Sequence, residues 1–117
     1  MKYLALAIAL LLLASCNIVF WKSFKITNAT DSEITEIRVT FADHTAERES
    51  LPAGKTLRLH PWPTTSGGID ISYIRSGERQ EHPLGYGVPE APMTCEYRIE
   101  ENATGLDDLI GQCRMGD

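Results

Sequence analysis

The residues that can do chemistry in this 117-residue chain are few and widely spaced. A histidine, a hydroxyl and a carboxylate occur at His60, Ser66 and Asp70, and these are the groups that a hydrolase brings within hydrogen-bond distance of one another. Ser66 does not lie in a nucleophile-elbow motif. A small hydrolase or ligand carrier is therefore the alternative prediction, and a non-catalytic protein is the main one.

The other histidines and acidic residues form no recognisable metal or cofactor motif. His44, His60 and His82 have no zinc-site spacing. Glu100–Glu101 and Asp107–Asp108 are adjacent acidic pairs that we expect to be solvated, and Glu100 and Glu101 would point to opposite faces if their strand continues. Phosphate-loop and dinucleotide fingerprints are absent from the sequence. We therefore expect no metal, no cofactor and no enzymatic activity.

Two loops carry an aromatic residue beside rigid or tightly turning neighbours. Trp62 stands between two prolines, and Tyr86 stands between two glycines. A tryptophan fixed on a loop is a common anchor for a peptide, a sugar or a partner protein. The alternative for each ring is that it covers the end of the core. Trp62 and Tyr86 are the candidate binding residues.

The N-terminal segment has the parts of a secretion signal. Lys2 precedes an apolar run from Tyr3 to Leu13, which ends in Leu13-Ala14-Ser15-Cys16. This tetrapeptide resembles the lipobox of bacterial lipoproteins, although Ser15 stands where the family more often has Gly or Ala. The alternatives are cleavage without lipid and an uncleaved anchor, because apolar residues continue to Trp21 and about 20 span a bilayer.

The resemblance to lipoproteins implies a membrane-anchored protein of the bacterial cell envelope. In the family, residues 1–15 would be removed as a signal helix, and Cys16 would carry acyl chains such as palmitate at the start of a tether, residues 16–22. Two or three acyl chains hold a protein at a membrane permanently. Asn17 follows the cysteine where Asp signals inner-membrane retention, so the family pattern favours the periplasmic face of the outer membrane.

Two cysteines remain once Cys16 is lipidated, and they would lie in a compartment that oxidises thiols. We expect a disulfide between Cys95 and Cys113, with two unpaired thiols as the alternative. Closing a loop of this length stabilises a fold by about 3 kcal/mol.

The formal charge of the chain is −5, and loss of Lys2 with the signal makes it −6. An acidic domain repels phosphate, which excludes nucleic-acid binding through a basic surface. The function expected from these features is a non-catalytic binding or accessory role at the envelope, towards a protein or cell-wall partner.

Residues 23–117 show short alternating runs separated by turns, a pattern typical of antiparallel strands. Six or seven strands predict a small antiparallel β-sandwich with an immunoglobulin-like Greek-key topology, and a small open β-barrel is the alternative. Pro83, Pro89 and Pro92 place the segment 82–93 at an edge or in a loop. Residues 106–110 are predicted to form a helical turn.

Overall fold

The computed structural model describes residues 22–115, and this part of the chain contains only strands and turns. Eight strands form two four-stranded sheets that pack face to face, which confirms the predicted all-β sandwich. The signal segment and Cys16 lie outside the described residues. The strands are β1 (Lys22–Asn28), β2 (Ile34–Phe41), β3 (His44–Leu51), β4 (Thr56–Leu59), β5 (Gly67–Arg75), β6 (Glu78–Gly87), β7 (Met93–Glu101) and β8 (Asp107–Met115).

Within residues 22–115, the structure contains no helix with the length and apolarity needed to span a bilayer.

The strand order is β4-β1-β7-β8 in one sheet and β3-β2-β5-β6 in the other. All neighbouring strands are antiparallel except β1 and β7, which run parallel. β4 returns to lie beside β1 after the β2–β3 hairpin in the opposite sheet, as in a Greek key. β1 therefore lies inside its sheet, and it begins at Lys22, the last residue assigned to the tether.

The core lies between the two sheets and is built by alternation along the strands. Ile37, Val39 and Phe41 of β2 are fully buried, and their neighbours Arg38 and Thr40 point outward. Each such apolar side chain contributes about 1.5–3 kcal/mol when it leaves water. The core residues are Phe24, Ile26, Ile34, Ile37, Val39, Phe41, Leu51, Leu59, Ile69, Ile71, Tyr73, Met93, Cys95, Tyr97 and Ile99.

The predicted helical turn over residues 106–110 is wrong, because β8 begins at Asp107 and pairs along its whole length with β7. Leu109 packs against the core and Ile110 is half exposed, which is the alternation of a strand. The predicted disulfide is present: Cys95 and Cys113 are direct register partners on β7 and β8. The bond therefore fixes β8 to the sheet.

Strands β5 and β6 form a hairpin that turns at Ser76 and Gly77, which have φ angles of 53° and 79°. These left-handed values suit a two-residue hairpin turn. β6 is the edge strand next to β5, which confirms the edge position predicted from Pro83.

Candidate functional site

The two candidate binding residues lie at the same end of the sandwich, the end at which β1 begins. Trp62 is 46% exposed and Tyr86 is 71% exposed. Tyr86 pairs with Gly68 near the end of β6, and the Trp62 backbone reaches His44 at the start of β3. Both rings are exposed, and neither belongs to the buried core between the sheets.

Asp43 holds the loop that carries Trp62. Its carboxylate accepts hydrogen bonds from the Thr64 hydroxyl, from the Thr64 N–H at 2.9 Å and from the Thr65 N–H at 3.4 Å. These bonds, the one from the Thr64 side chain above all, lower the pKa of Asp43 to about 2. The Trp62 N–H donates to Nδ1 of His44 at 3.0 Å. The loop therefore presents Trp62 from a fixed backbone.

Lys22, the first residue of β1, contacts two loops at this end: the loop that carries Trp62 and the loop that contains Pro89. Its Nζ donates to the carbonyl of Pro89 at 3.0 Å and to that of Ala91, and it lies 5.8 Å from the centre of the Phe41 ring. Burial lowers the pKa of Lys22, and the charge of Glu90 opposes this shift. The Lys22 carbonyl lies 3.0 Å from Nδ1 of the His60 ring.

A shallow depression of about 280 Å³ lies between the two loops. This volume is at the lower limit for small-molecule pockets, so the depression fits a single side chain or acyl segment better than a whole cofactor. It is lined by Trp62, Pro63, Thr64, Pro89 and Glu90.

Met115 also lies at this end, because it pairs with Met93, which pairs with Lys22. Its side chain is 55% exposed. We call Trp62, Tyr86 and Met115 the β1-start surface. Within the described part of the chain, these three are most of the exposed large apolar side chains, and the others are Leu106 and Ile110. Three of these five exposed apolar side chains therefore lie at the end of the sandwich at which β1 begins.

The four edge strands differ in how they are protected against pairing with another chain. β3 carries the exposed charges Glu47, Arg48 and Glu49, and β4 has only four residues. β6 contains Pro83, and its register shifts where β5 passes from Ile69 to Asp70. Charges, shortness, proline and bulges all discourage edge-to-edge pairing.

β8 has none of these devices along its middle. Its nine residues pair only with β7, and the stretch 109–113 contains no charge and no proline. Beside it, an open depression of about 420 Å³ lies on the outer face of the sheet. Its lining combines one apolar side chain with two opposite charges: Ile110, Glu96 and Arg98, together with Gly111 and Gln112.

Gly111 allows β8 to lie close to β7. Its φ is 156°, and a Cβ added here would lie 1.9 Å from the Glu96 carbonyl oxygen. Only glycine can take this position without moving one strand away from the other. The exposed edge of β8 is therefore fixed both by the disulfide and by this close approach.

A polar cluster joins the two sheets between β6 and β8. Asp107 accepts two 2.9 Å bonds from Nε of Arg75 and a third from its Nη2, together with a 2.8 Å bond from the Tyr73 hydroxyl. Nε2 of His82 lies 3.2 Å from that hydroxyl. The side chain of Asp107 is 1% exposed and that of Arg75 is 10% exposed. The prediction that Asp107 is solvated is therefore wrong.

The pKa shifts in this cluster follow from burial and from these bonds. Burial raises the pKa of Asp107, but the bonds from Arg75 and Tyr73 outweigh it and leave the pKa below its usual value. Burial lowers the pKa of His82, although the charges of Asp107 and Asp108 oppose this. Burial and the bond to Asp107 raise the pKa of Tyr73. The cluster therefore joins the two sheets through the ion pair of Asp107 and Arg75, and Tyr73 is a hydrogen-bond partner of the same carboxylate.

Sequence reasoning missed this cluster because its acidic residues are neighbours across strands. Glu101 pairs directly with Asp107, and Arg75 lies 3.5 Å from Glu101 while it holds Asp107. Like charges opposite each other on a sheet repel unless a cation lies between them. That cation is Arg75 of the other sheet, and its position beside the two carboxylates follows only from the sheet topology.

The three residues of the alternative hydrolase site have different surroundings. Asp70 lies on β5 between the core residues Ile69 and Ile71, so its carboxylate points to the outer face of the β3-β2-β5-β6 sheet. Burial raises its pKa, and nearby Glu81 adds to the shift. The His60 ring contacts the backbone of β1 in the other sheet, and Ser66 directly precedes β5.

Among residues 22–115, no group of three or more His, Cys, Asp or Glu side chains is placed to hold a metal ion.

Comparison with known proteins supports the fold alone. No protein-family model matches the chain, and no curated protein sequence matches it. A solved structure described as the "NMR structure of the protein from Eubacterium rectale" is similar over 79% of this chain and 88% of that one, with a TM-score of 0.62 and 15% identity. The sandwich architecture is thus shared with another protein, at an identity that carries no functional information.

Proposed function

We propose that this chain is a lipid-anchored, non-catalytic protein of the bacterial envelope and that the edge of β8 binds an extended segment of a partner protein. The observation that carries the proposal is the contrast among the four sheet edges. β3, β4 and β6 each carry a device that discourages strand pairing, and the stretch 109–113 of β8 carries none.

The edge of β8 is well suited to strand addition because it is held in an extended conformation before any partner arrives. The Cys95–Cys113 bond and the close contact at Gly111 fix it to β7. A strand added to such an edge gains affinity from main-chain hydrogen bonds and specificity from side-chain pockets. A fixed edge also avoids the entropy cost of ordering on binding.

The depression beside β8 indicates the chemistry of the segment it would accept. Ile110 supplies an apolar contact, and Glu96 and Arg98 offer one charge of each sign within the same lining. An extended segment that places an apolar residue over Ile110 and a polar residue two positions away would match this surface, because alternate side chains of a strand share a face.

The lipid anchor is proposed from the resemblance of Leu13–Cys16 to a lipobox and from the start of the domain. Cys16 lies six residues before Lys22, where β1 begins. An extended chain of this length spans at most about 20 Å. Such a tether would hold the sandwich close to the membrane and leave the side of β8 open to the periplasm.

The proposed edge is tested by placing a photoreactive amino acid at Gln112 of the full chain in its native bacterial host. Gln112 is an exposed residue of β8, and Ser50, an exposed residue of the edge strand β3, is the matched control position. We expect one discrete cross-linked protein from position 112 and none from position 50. Equal cross-linking from both positions, or an adduct of this chain with itself, would contradict the proposal.

A second variant separates the edge from general surface effects. Ile110→Lys places a charge on β8 and should abolish the adduct from position 112. Leu106→Lys makes the same change at an exposed residue just before β8 and should leave the adduct intact. The mass of the N-terminal peptide, beginning at an acylated Cys16 or at an unmodified Met1, tests the anchor independently.

A further inference from the structure

We infer that the β1-start surface, formed by Trp62, Tyr86 and Met115, lies against the lipid headgroup layer of the membrane that holds the tether. This inference rests on the lipid anchor of the proposed function and adds an orientation of the domain. The occupant of the surface is the bilayer itself, and β8 remains available for a protein partner.

The tether enters at Lys22, and Lys22 contacts the loops on either side of the depression beside Trp62. With at most about 20 Å of chain between Cys16 and Lys22, this end cannot move far from the headgroups. A large protein partner would have little room between this surface and the membrane.

Trp62 and Tyr86 are 46% and 71% exposed, although both are large rings. Tryptophan and tyrosine are the residues that concentrate at membrane–water interfaces, because each has an apolar body and a polar tip. Met115 adds a flexible apolar side chain on the same end.

The whole chain is acidic, but cations accompany the acidic residues near this end: Arg114 and the buried Lys22 lie there with Asp43 and Glu90. Asp43 is also occupied by the Thr64 and Thr65 bonds, and Lys22 by two carbonyls. The two cations reduce the electrostatic penalty that an acidic surface would meet at anionic headgroups.

Asp43 and His44 fix the backbone on both sides of Trp62 by hydrogen bonds of 2.9–3.0 Å. A side chain held exposed in this way loses little freedom when it enters an interface. The depression of about 280 Å³ beside Trp62 offers space for a lipid methylene segment or glycerol group.

The test uses the full lipidated chain with Trp21→Phe, which leaves Trp62 as its single tryptophan. The protein is reconstituted into phosphatidylcholine vesicles, with or without bromine near the start of the acyl chains. We expect Trp62 to lose more than half of its fluorescence in the brominated vesicles. The control also carries Trp62→Phe and Leu106→Trp, which moves the tryptophan to an exposed position at the opposite end. This control should lose little fluorescence in the brominated vesicles.

The outcomes separate this inference from the proposed anchor. Equal quenching at positions 62 and 106 overturns the orientation. Shielding of Trp62 from aqueous iodide without quenching by bromine also overturns it, because a protein would then cover the surface. An unmodified Cys16 in the N-terminal peptide would refute the anchor itself, whereas an acylated Cys16 with an unquenched Trp62 would refute the orientation alone.

Discussion

Replacing Asp107 with asparagine tests whether the inter-sheet cluster stabilises the sandwich. In the native protein the carboxylate receives three contacts from Arg75 and one hydrogen bond from Tyr73. An amide has a single acceptor oxygen, and its NH₂ group would face other donors. The substitution therefore preserves the size of the side chain and removes both its charge and most of its accepting capacity.

The loss of stability follows from the contacts that Arg75 keeps when the Asp107 carboxylate is replaced. Its remaining partners are Ser32 Oγ at 3.3 Å, Glu101 at 3.5 Å and Asp31 at 3.9 Å. Its side chain is only 10% exposed, so water can replace little of the lost contact. Removing one member of a buried ion pair lowers the free energy of unfolding by about 3–5 kcal/mol. Because Glu101 and Asp31 remain near Arg75, we expect a loss of about 3 kcal/mol here. For a domain of this size that corresponds to a loss of about 15 °C in melting temperature.

The assay is denaturant unfolding of the full chain in detergent, followed by circular dichroism. Asp108→Asn is the control, because Asp108 is exposed and has only a 3.3 Å contact with the Asn102 amide. It should cost less than about 0.5 kcal/mol. The interpretation of the cluster fails if Asp107→Asn costs less than about 1 kcal/mol, or no more than the control.

The native protein and the Asp107→Asn variant can also be compared in acid. Because the pKa of Asp107 is lower in the folded chain than its usual value of 3.8, the unfolded chain binds the proton first as pH falls. The stability that ionised Asp107 contributes is complete above the pKa that this residue has in the unfolded chain. It is lost as pH falls towards the pKa that the residue has in the folded chain. The native protein should therefore lose more stability below about pH 4 than Asp107→Asn does.

Three other predictions address the remaining parts of the structure. Gly111→Ala should cost at least about 2 kcal/mol because its Cβ meets the backbone of β7, whereas Gly68→Ala, with 3.9 Å of clearance, should change the unfolding midpoint little. Asp43→Ala should speed hydrogen exchange at the Thr64 amide, measured by mass spectrometry, and an unchanged rate would contradict the role given to Asp43. Because burial lowers the pKa of His82, the native protein should lose stability as pH falls below about 6.5, and His82→Gln should lose less over the same range in denaturant titrations.

The strands that the sequence predicted well are those with one buried face and one exposed face. β2 and β7 alternate large apolar residues with polar ones, so that Val39 and Tyr97 could be assigned to the core from their spacing. β3 was missed because it is an edge strand whose middle is charged. β8 was misread because Leu109 and Ile110 are adjacent, which also suits a helical turn.

The candidate site was predictable only in part. Trp62 was singled out from its prolines, but the backbone of its loop is held by hydrogen bonds that Asp43 and His44 accept, and the chain brings these two residues from another hairpin. The role of Asp107 depends on Arg75 in the opposite sheet, more than thirty residues away. Local patterns carry no information about such pairs, because they form only when the two sheets pack.

The position of β1 also determines how the domain would bear mechanical load. A pull on a tether at Lys22 acts along a strand that has β7 on one side and β4 on the other. β1 would have to slide past both neighbours, so the seven register pairs with β7 and the four with β4 are loaded together in shear. An edge strand pulled sideways would instead lose its hydrogen bonds one at a time. If the chain is tethered before Lys22 as proposed, the interior place of β1 would give that tether a mechanically strong point of attachment.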